Sequence, residues 1–208
     1  MDKTNKTNVN ITNDSFGNPT NDEAGYNILK DMNEHHQTIA AWGFSQFNIQ
    51  NDDRCLDVGC GGGANIKYMS AKAEHVTGID ISIMSCKVSR EVNDLGIKND
   101  RVCIQEANIE NFDAPSETFS LITAFCTIYF WNDHPAAFKN IYRLLKPNGR
   151  FCLIASGKQK QLEWAHVPNL KIVDEFVLMS EINDAGFSDL SIIFEPDKGY
   201  IIIQAVKK

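Results

Sequence analysis

The residues that could do chemistry begin with a glycine-rich turn. The segment Leu56–Gly63 reads LDVGCGGG, directly after Arg54-Cys55. Glycine has no Cβ, so such a turn can adopt unusual dihedral angles and let a ligand lie against the backbone. A purely structural turn between a strand and a helix is the alternative, and Gly59-x-Gly61-x-x-Ala64 also fits the dinucleotide-binding pattern. The glycines therefore suggest a cofactor without choosing it.

Two carboxylates accompany the turn. Asp57 stands two residues before Gly59, where a dinucleotide-binding domain more often has an apolar or neutral residue, and Asp80 follows Gly59 by 21 residues. A carboxylate at the position of Asp80 can accept hydrogen bonds from both hydroxyls of a ribose. The spacing of the two acids favours a ribosyl ligand.

The elements that must position these residues alternate between strands and helices. Such alternation is typical of a parallel sheet covered by helices on both faces. The last two apolar runs, Leu190–Phe194 and Tyr200–Val206, are joined by a short turn and must pair antiparallel. We predict strands at 54–58, 75–80, 101–106, 118–125 and 150–156 before this hairpin, and helices at 26–45, 63–72, 83–95, 135–146 and 174–186.

Over residues 26–207 the chain resembles the class I methyltransferases, in particular their small-molecule group. The resemblance rests on Asp57 with the glycine turn, on Gly78–Ser82, on Glu106–Glu110 followed by Phe119–Phe125, and on Leu144–Arg150. The chain departs from the family pattern at Asn108 and Ser120, where the family often has Asp. The resemblance implies an α/β Rossmann-like three-layer sandwich with a seven-stranded, mostly parallel sheet and a C-terminal antiparallel hairpin.

The resemblance also implies S-adenosylmethionine as cofactor and S-adenosylhomocysteine as product. Asp57 would help to hold the methionine portion, Asp80 the ribose, and Ile81 one face of the adenine. Asn108 would accept from the adenine amino group, although an Asn in a turn is common for local reasons. The implied cofactor-binding residues are Asp57, Gly59, Cys60, Gly61, Gly63, Asp80, Ile81, Asn108, Ile109 and Phe125.

Methyl transfer needs mainly an aligned acceptor and, where the acceptor carries a proton, a base. In this family the groups beside the methyl come from the segment after the fourth strand and from the N-terminal helix. The candidates are His36, Tyr129, Trp131 and His134, and each has a packing or capping role as its alternative. We assign no metal ligands. Trp42-Gly43-Phe44 could close a lid over the methionine end, or merely anchor the helix.

Composition limits the remaining possibilities. The net charge of −7 argues against a protein that binds the phosphate backbone of nucleic acid, because such binding needs clustered Lys and Arg. The sequence has no apolar run long enough for a membrane span, and six scattered cysteines with no secretory signal favour a reducing, cytoplasmic location. We expect a polar flexible arm over residues 1–22, one domain over 23–208 with a lid helix near 26–45, and a monomer or homodimer.

The predicted function is an enzyme that methylates an unidentified small molecule by in-line transfer. One alternative is a non-catalytic sensor of S-adenosylmethionine or a partner subunit, for which the cavity beside the methyl position would be filled. A nicotinamide-dependent oxidoreductase is a further alternative, since the glycine pattern permits it.

Overall fold

The computed structural model describes residues 13–167 and 171–208. The strands are β1 Arg54–Val58, β2 His75–Asp80, β3 Val102–Glu106, β4 Phe119–Phe125, β5 Leu145–Ser156, β6 Ser188–Phe194 and β7 Tyr200–Val206. The helices are α1 Asn13–Gly17, α2 Glu23–His35, α3 Gln37–Ser45, α4 Ala64–Ser70, α5 Ile83–Val92, α6 Asp94–Lys98, α7 His134–Leu144, α8 Lys158–Gln161 and α9 Glu175–Asp184. Two 3₁₀ turns lie at Ile128–Phe130 and Leu162–Trp164.

Within these residues the strands form one sheet in the order β3-β2-β1-β4-β5-β7-β6. The first five strands in this order are parallel, while β7 runs antiparallel to both β5 and β6. The predicted fold class, a mostly parallel seven-stranded sheet with a C-terminal antiparallel hairpin, is confirmed. This order brings the carboxyl ends of β1, β2 and β4 side by side at one edge of the sheet.

Both faces of the sheet are buried, as the apolar runs predict. Successive residues of a strand point to opposite faces, and the core divides accordingly: Leu56 and Ile122 belong to one apolar cluster, and Cys55 and Leu121 to the other. The first cluster packs beneath α7 and α9, and the second beneath α3 and α4. The result is a three-layer arrangement.

Side-chain caps fix where several helices begin. The Asp133 carboxylate accepts from the Ala136 amide at 2.9 Å at the start of α7, and Pro135 lies in the first turn, where it needs no amide partner. The Ser82 hydroxyl does the same for Ser85 at the start of α5. Such caps satisfy backbone amides that have no partner within the helix.

Several predicted boundaries were wrong. Residues 26–45 form two helices, α2 and α3, that meet at His36. The predicted helix 83–95 is divided at Asn93, whose amide donates to the carbonyls of Ser89 and Gly63, because an Asn side chain competes with the backbone for such partners. Helix α7 ends at Leu144, and β5 begins five residues earlier than expected because Leu145 pairs with Phe119 of β4.

The N-terminal arm is described only in part. Residues 1–12 lie outside the described residues, while residues 13–17 form α1. Pro19 is buried, and its carbonyl accepts from the Ser82 hydroxyl at 3.5 Å. The part from residue 13 onward therefore has structure and contacts with the domain, which the polar composition did not indicate. Flexibility of the arm stays a prediction.

Neither a disulfide nor a membrane-spanning helix occurs in the described part of the chain. All six cysteines are free thiols, four of them buried and two half-buried. No helix of residues 13–167 and 171–208 has the length and hydropathy that crossing a bilayer requires.

The core under α7 supplies a test of the packing. Phe138 is fully buried and packs against Trp131 and Phe151, so Phe138→Ala should lower the free energy of unfolding by about 3–5 kcal/mol. Phe194 is 48% exposed on the edge strand β6, and Phe194→Ala should change stability by no more than about 0.5 kcal/mol. Urea unfolding of both variants measures the difference, and equal losses would contradict the burial described.

Candidate active site

The glycine-rich turn connects β1 to α4 at the carboxyl edge of the sheet. Gly59, Gly61 and Gly63 have φ angles of +68°, +49° and +79°, in the left-handed region that favours glycine. The amides of Gly59 and Cys60 both donate to the carbonyl of Ile79, at 2.8 and 3.0 Å. These bonds hold the turn against the end of β2.

Asp80 ends β2 and links the turn to the next helix. One carboxylate oxygen accepts from the Gly61 amide and the other from the Ser82 amide, each at 2.9 Å. Burial raises the pKa of Asp80, while these two hydrogen bonds act in the opposite direction. Each oxygen has a second lone pair, so the carboxylate can accept further hydrogen bonds.

Two adjoining cavities open beside Asp80. The larger has a volume of about 250 Å³ and the smaller about 50 Å³. Both cavities are bordered by the same five residues, which are Gly17, Gly59, Asp80, Thr127 and Phe130. The carboxylate therefore stands where the two spaces meet.

Most of the predicted cofactor residues border these cavities. Gly59, Cys60, Gly61, Asp80 and Phe125 border the larger one, and Gly59, Asp80, Ile81, Asn108 and Ile109 border the smaller one. The Asn108 side-chain oxygen also accepts from the Glu110 amide at 2.9 Å, so the local turn bond that we weighed as its alternative is present.

Asp57 and Gly63 border neither cavity. A Cβ on Gly63 would lie within 3 Å of Ser89 and Asn93, so this glycine allows the turn to approach α5 closely. The buried Asp57 carboxylate accepts from the Thr123 hydroxyl at 2.8 Å, and its second oxygen has no hydrogen-bond partner among the described residues. The structure thus places the Asp57 side chain against the neighbouring strand β4, not on the cavity wall.

Two of the four catalytic candidates border a cavity. His36 borders the larger cavity, and burial together with the neighbouring His35 lowers its pKa, which favours the neutral imidazole. Its ring makes no hydrogen bond to any residue in the described part of the chain. Trp131 borders the smaller cavity and packs edge-on against Phe138.

The other two catalytic candidates are engaged elsewhere. The Tyr129 hydroxyl accepts from the Ser156 amide at 2.7 Å and lies 3.3 Å from the Ser156 carbonyl, and burial raises its pKa. The His134 ring nitrogens lie 3.2 Å from Glu181 Oε2 and 3.2 Å from the Ile128 carbonyl oxygen. Both side chains join elements of the fold and border neither cavity, and a catalytic role for them stays a prediction.

An aromatic wall of the larger cavity was not predicted as such. Phe44 stacks on Tyr68 with ring centroids 4.2 Å apart and lies 4.8 Å from Phe125, and all three residues border the cavity. Trp42, proposed with Phe44 as part of a lid, packs instead against Tyr200 and does not border the cavity. Phe44, predicted as part of a lid, does border the cavity, whereas no sequence signal indicated that Tyr68 would join it.

The N-terminal helices also contribute contacts that the sequence did not reveal. The Asn33 amide of α2 donates to the Gly62 carbonyl at 3.1 Å and so ties α2 to the glycine-rich turn. Gly17 of α1 packs directly on the Phe130 ring, because an added Cβ would lie 2.4 Å from it. The residues of α1 and α2 thus cover the edge of the sheet where both cavities open.

Comparisons with known proteins agree with this geometry. A family profile described as "Methyltransferase domain" matches residues 56–153, from β1 to β5. The chain belongs to the class I methyltransferases. As such, it is an S-adenosylmethionine-dependent methyltransferase. The methyltransferase fold predicted for it is likewise confirmed.

Individual relatives support the same assignment. The chain is 26% identical over 180 residues to the uncharacterized methyltransferase YdaC of Bacillus subtilis, a match that covers 85% of the chain and 94% of YdaC. A SAM-dependent methyltransferase from Aquifex aeolicus has a similar structure, with a TM-score of 0.73, 19% identity, and coverage of 88% and 98% of the two chains.

A further neighbour was solved with ligands. Haemonchus contortus phosphoethanolamine N-methyltransferase 2, in complex with phosphomonomethylethanolamine and S-adenosylhomocysteine, superposes with a TM-score of 0.74 at 14% identity. The match covers 88% of this methyltransferase and 57% of the Haemonchus chain. At this identity the likeness shows the fold alone.

The carboxylate buried beside Thr123 generates a prediction about pH. Burial, opposed by the Thr123 hydrogen bond, raises the pKa of Asp57 to about 7. Between about pH 4 and pH 7 the unfolded chain has released this proton while the folded chain retains it, so this residue makes stability fall as pH rises. Asn cannot lose a proton in this range, so the variant lacks this loss of stability. The free energy of unfolding of Asp57→Asn minus that of the wild type should therefore increase from pH 5 to pH 8, by on the order of a few kcal/mol.

Chemical denaturation of the two proteins across this range measures the gain. Stability curves that stay parallel from pH 5 to pH 8 would contradict the raised pKa.

Proposed function

We propose that this methyltransferase transfers a methyl group from S-adenosylmethionine to a small molecule by in-line attack. The adenosyl part would occupy the smaller cavity, with Ile81, Asn108 and Ile109 at the adenine and Asp80 at the ribose. The methionine part would pass along Gly59–Gly61 into the larger cavity, where the acceptor would meet it. The observation that carries this proposal is the position of Asp80, which borders both cavities.

The residues present fit this cofactor. Gly61 has a positive φ, and a Cβ added to it would meet no atom within 4 Å, so the turn exposes bare backbone to open space. Asp80, the carboxylate that borders both cavities, is the charged acceptor for the ribose hydroxyls. A cradle of this form suits a ribosyl ligand that lies across the turn.

The protein's own part in the reaction is mainly alignment. When bound, S-adenosylmethionine supplies an activated methyl group, so the acceptor needs orientation and, where it carries a proton, a base. His36 is the catalytic candidate that borders the larger cavity, and its lowered pKa keeps the imidazole able to take a proton. Among the described residues no cluster of His, Cys, Asp and Glu is arranged to hold a metal ion.

A small acceptor also agrees with the charge. The net charge of −7 disfavours nucleic acid as a substrate. An open, lined space beyond the glycine turn favours an enzyme over a sensor with a filled cavity. A cytoplasmic location and a monomeric or homodimeric state remain part of the proposal, and light scattering of the purified protein measures the second.

Replacement of the central carboxylate tests the proposed cofactor site. Asp80→Asn keeps the size of the side chain but weakens its hydrogen bonds, so affinity for S-adenosylhomocysteine should fall by about 1–3 kcal/mol, measured by calorimetry. Asp53→Asn is the control, because Asp53 is equally buried but pairs with Arg150 away from both cavities. The control should lose stability and keep its affinity, and unchanged affinity of Asp80→Asn would refute the site.

A second test uses the bare backbone of the turn. Gly61→Ala places a methyl group where the cofactor would lie, so S-adenosylhomocysteine affinity should fall roughly tenfold or more. Gly199→Ala is the matched control, since Gly199 also has a positive φ, +68°, in the turn between β6 and β7. Both variants should lose about 1–2 kcal/mol of stability from the left-handed backbone. Equal affinities in the two variants would show that no ligand crosses Gly61.

A further inference from the structure

The walls of the larger cavity carry information about the acceptor. Within the described residues neither cavity is bordered by lysine or arginine. The larger cavity has Asp80 as its single carboxylate, and the proposed function uses that group to hold the ribose hydroxyls. The imidazole of His36 adds no charge when neutral. A charged acceptor would therefore meet no side chain of opposite charge that the cofactor does not already use.

Apolar surface is what the cavity offers instead. The Tyr68, Phe44 and Phe125 rings follow one another along one wall, with centroid distances of 4.2 and 4.8 Å. Phe16 and Met32 border the same space from α1 and α2. Rings of this kind bury a large apolar area and pack well against flat ligands.

The cation next to this wall does not reach the cavity. The Lys72 ammonium lies 4.3 Å from the Tyr68 ring centroid and 2.6 Å from its hydroxyl oxygen, and Lys72 does not border the larger cavity. Its ammonium group thus interacts with Tyr68 outside the cavity. Burial of a phosphate or carboxylate without a paired cation is strongly unfavourable.

We propose that the methyl acceptor is an uncharged molecule with a flat apolar body, which lies against the wall formed by Tyr68, Phe44 and Phe125. This inference rests on the proposed function, because it assigns the larger cavity to the acceptor. It excludes phosphorylated amines of the kind bound by the Haemonchus neighbour as acceptors of this methyltransferase.

Three probes that share the naphthalene ring and differ in the charge of one substituent test the charge preference. Full-length protein saturated with S-adenosylhomocysteine is titrated with 2-naphthol, 2-naphthyl phosphate and 2-naphthylmethylamine, which are neutral, anionic and cationic at pH 7. The neutral probe should bind at least roughly tenfold more tightly than either charged one, since burial of an unpaired charge is costly. A charged probe that binds as tightly as 2-naphthol overturns the proposal.

Substitutions of the wall residues test whether the probe binds at this wall. Phe44→Ala should weaken 2-naphthol binding roughly tenfold through lost aromatic contact, while Trp42→Ala, on the same helix but outside the cavity, should not. Tyr68 is 40% exposed, so Tyr68→Leu gives a second variant that does not disturb the core. Binding that neither Phe44→Ala nor Tyr68→Leu affects overturns the assignment of this wall.

The remaining outcomes separate the two proposals. Lys3 and Lys6 lie outside the described residues, so 2-naphthyl phosphate binding that is tight in the wild type and lost in the K3Q/K6Q double variant also overturns the inference. Failure of all three probes to bind, while S-adenosylhomocysteine binds, overturns the inference and leaves the proposed function standing. Absence of S-adenosylhomocysteine binding removes the proposed function itself.

Discussion

The pair of hydrogen bonds that Asp80 accepts from Gly61 and Ser82 is the interaction on which the rest of the site depends. It joins the glycine-rich turn after β1 to the start of α5 after β2, and so sets the shape of the crevice between two parallel strands. Burial raises the pKa of Asp80, and these two hydrogen bonds oppose that rise because they stabilise the ionised carboxylate. A single side chain thereby links the local backbone geometry to the charge presented to a ligand.

The sequence predicted the fold, and it predicted that most of the proposed cofactor residues meet at one edge of the sheet, because both arise from local, strongly patterned signals. Apolar runs separated by helical segments define the parallel sheet, and parallel strands necessarily bring Gly59, Asp80 and Asn108 to one edge. Helix boundaries were less predictable. Asn93 divides a helix through hydrogen bonds to Gly63, a residue 30 positions away, and no local pattern reports such a contact.

The acceptor side was less accessible to sequence reasoning for a similar reason. Tyr129 and His134 have reactive side chains in the expected segment, but their partners, Ser156 and Glu181, come from distant elements and turn both groups away from the cavities. Asp57 is likewise directed to Thr123 on a neighbouring strand. The wall of the larger cavity combines residues of α3, α4 and β4, whose meeting depends on packing.

The position of Gly17 has a consequence for turnover. This residue of α1 borders both cavities and packs on Phe130, which also borders both. With the ligands placed as proposed, cofactor and acceptor would both lie against this short stretch of chain. A bulkier residue at position 17 would then alter turnover and cofactor affinity together, because this one position borders both spaces.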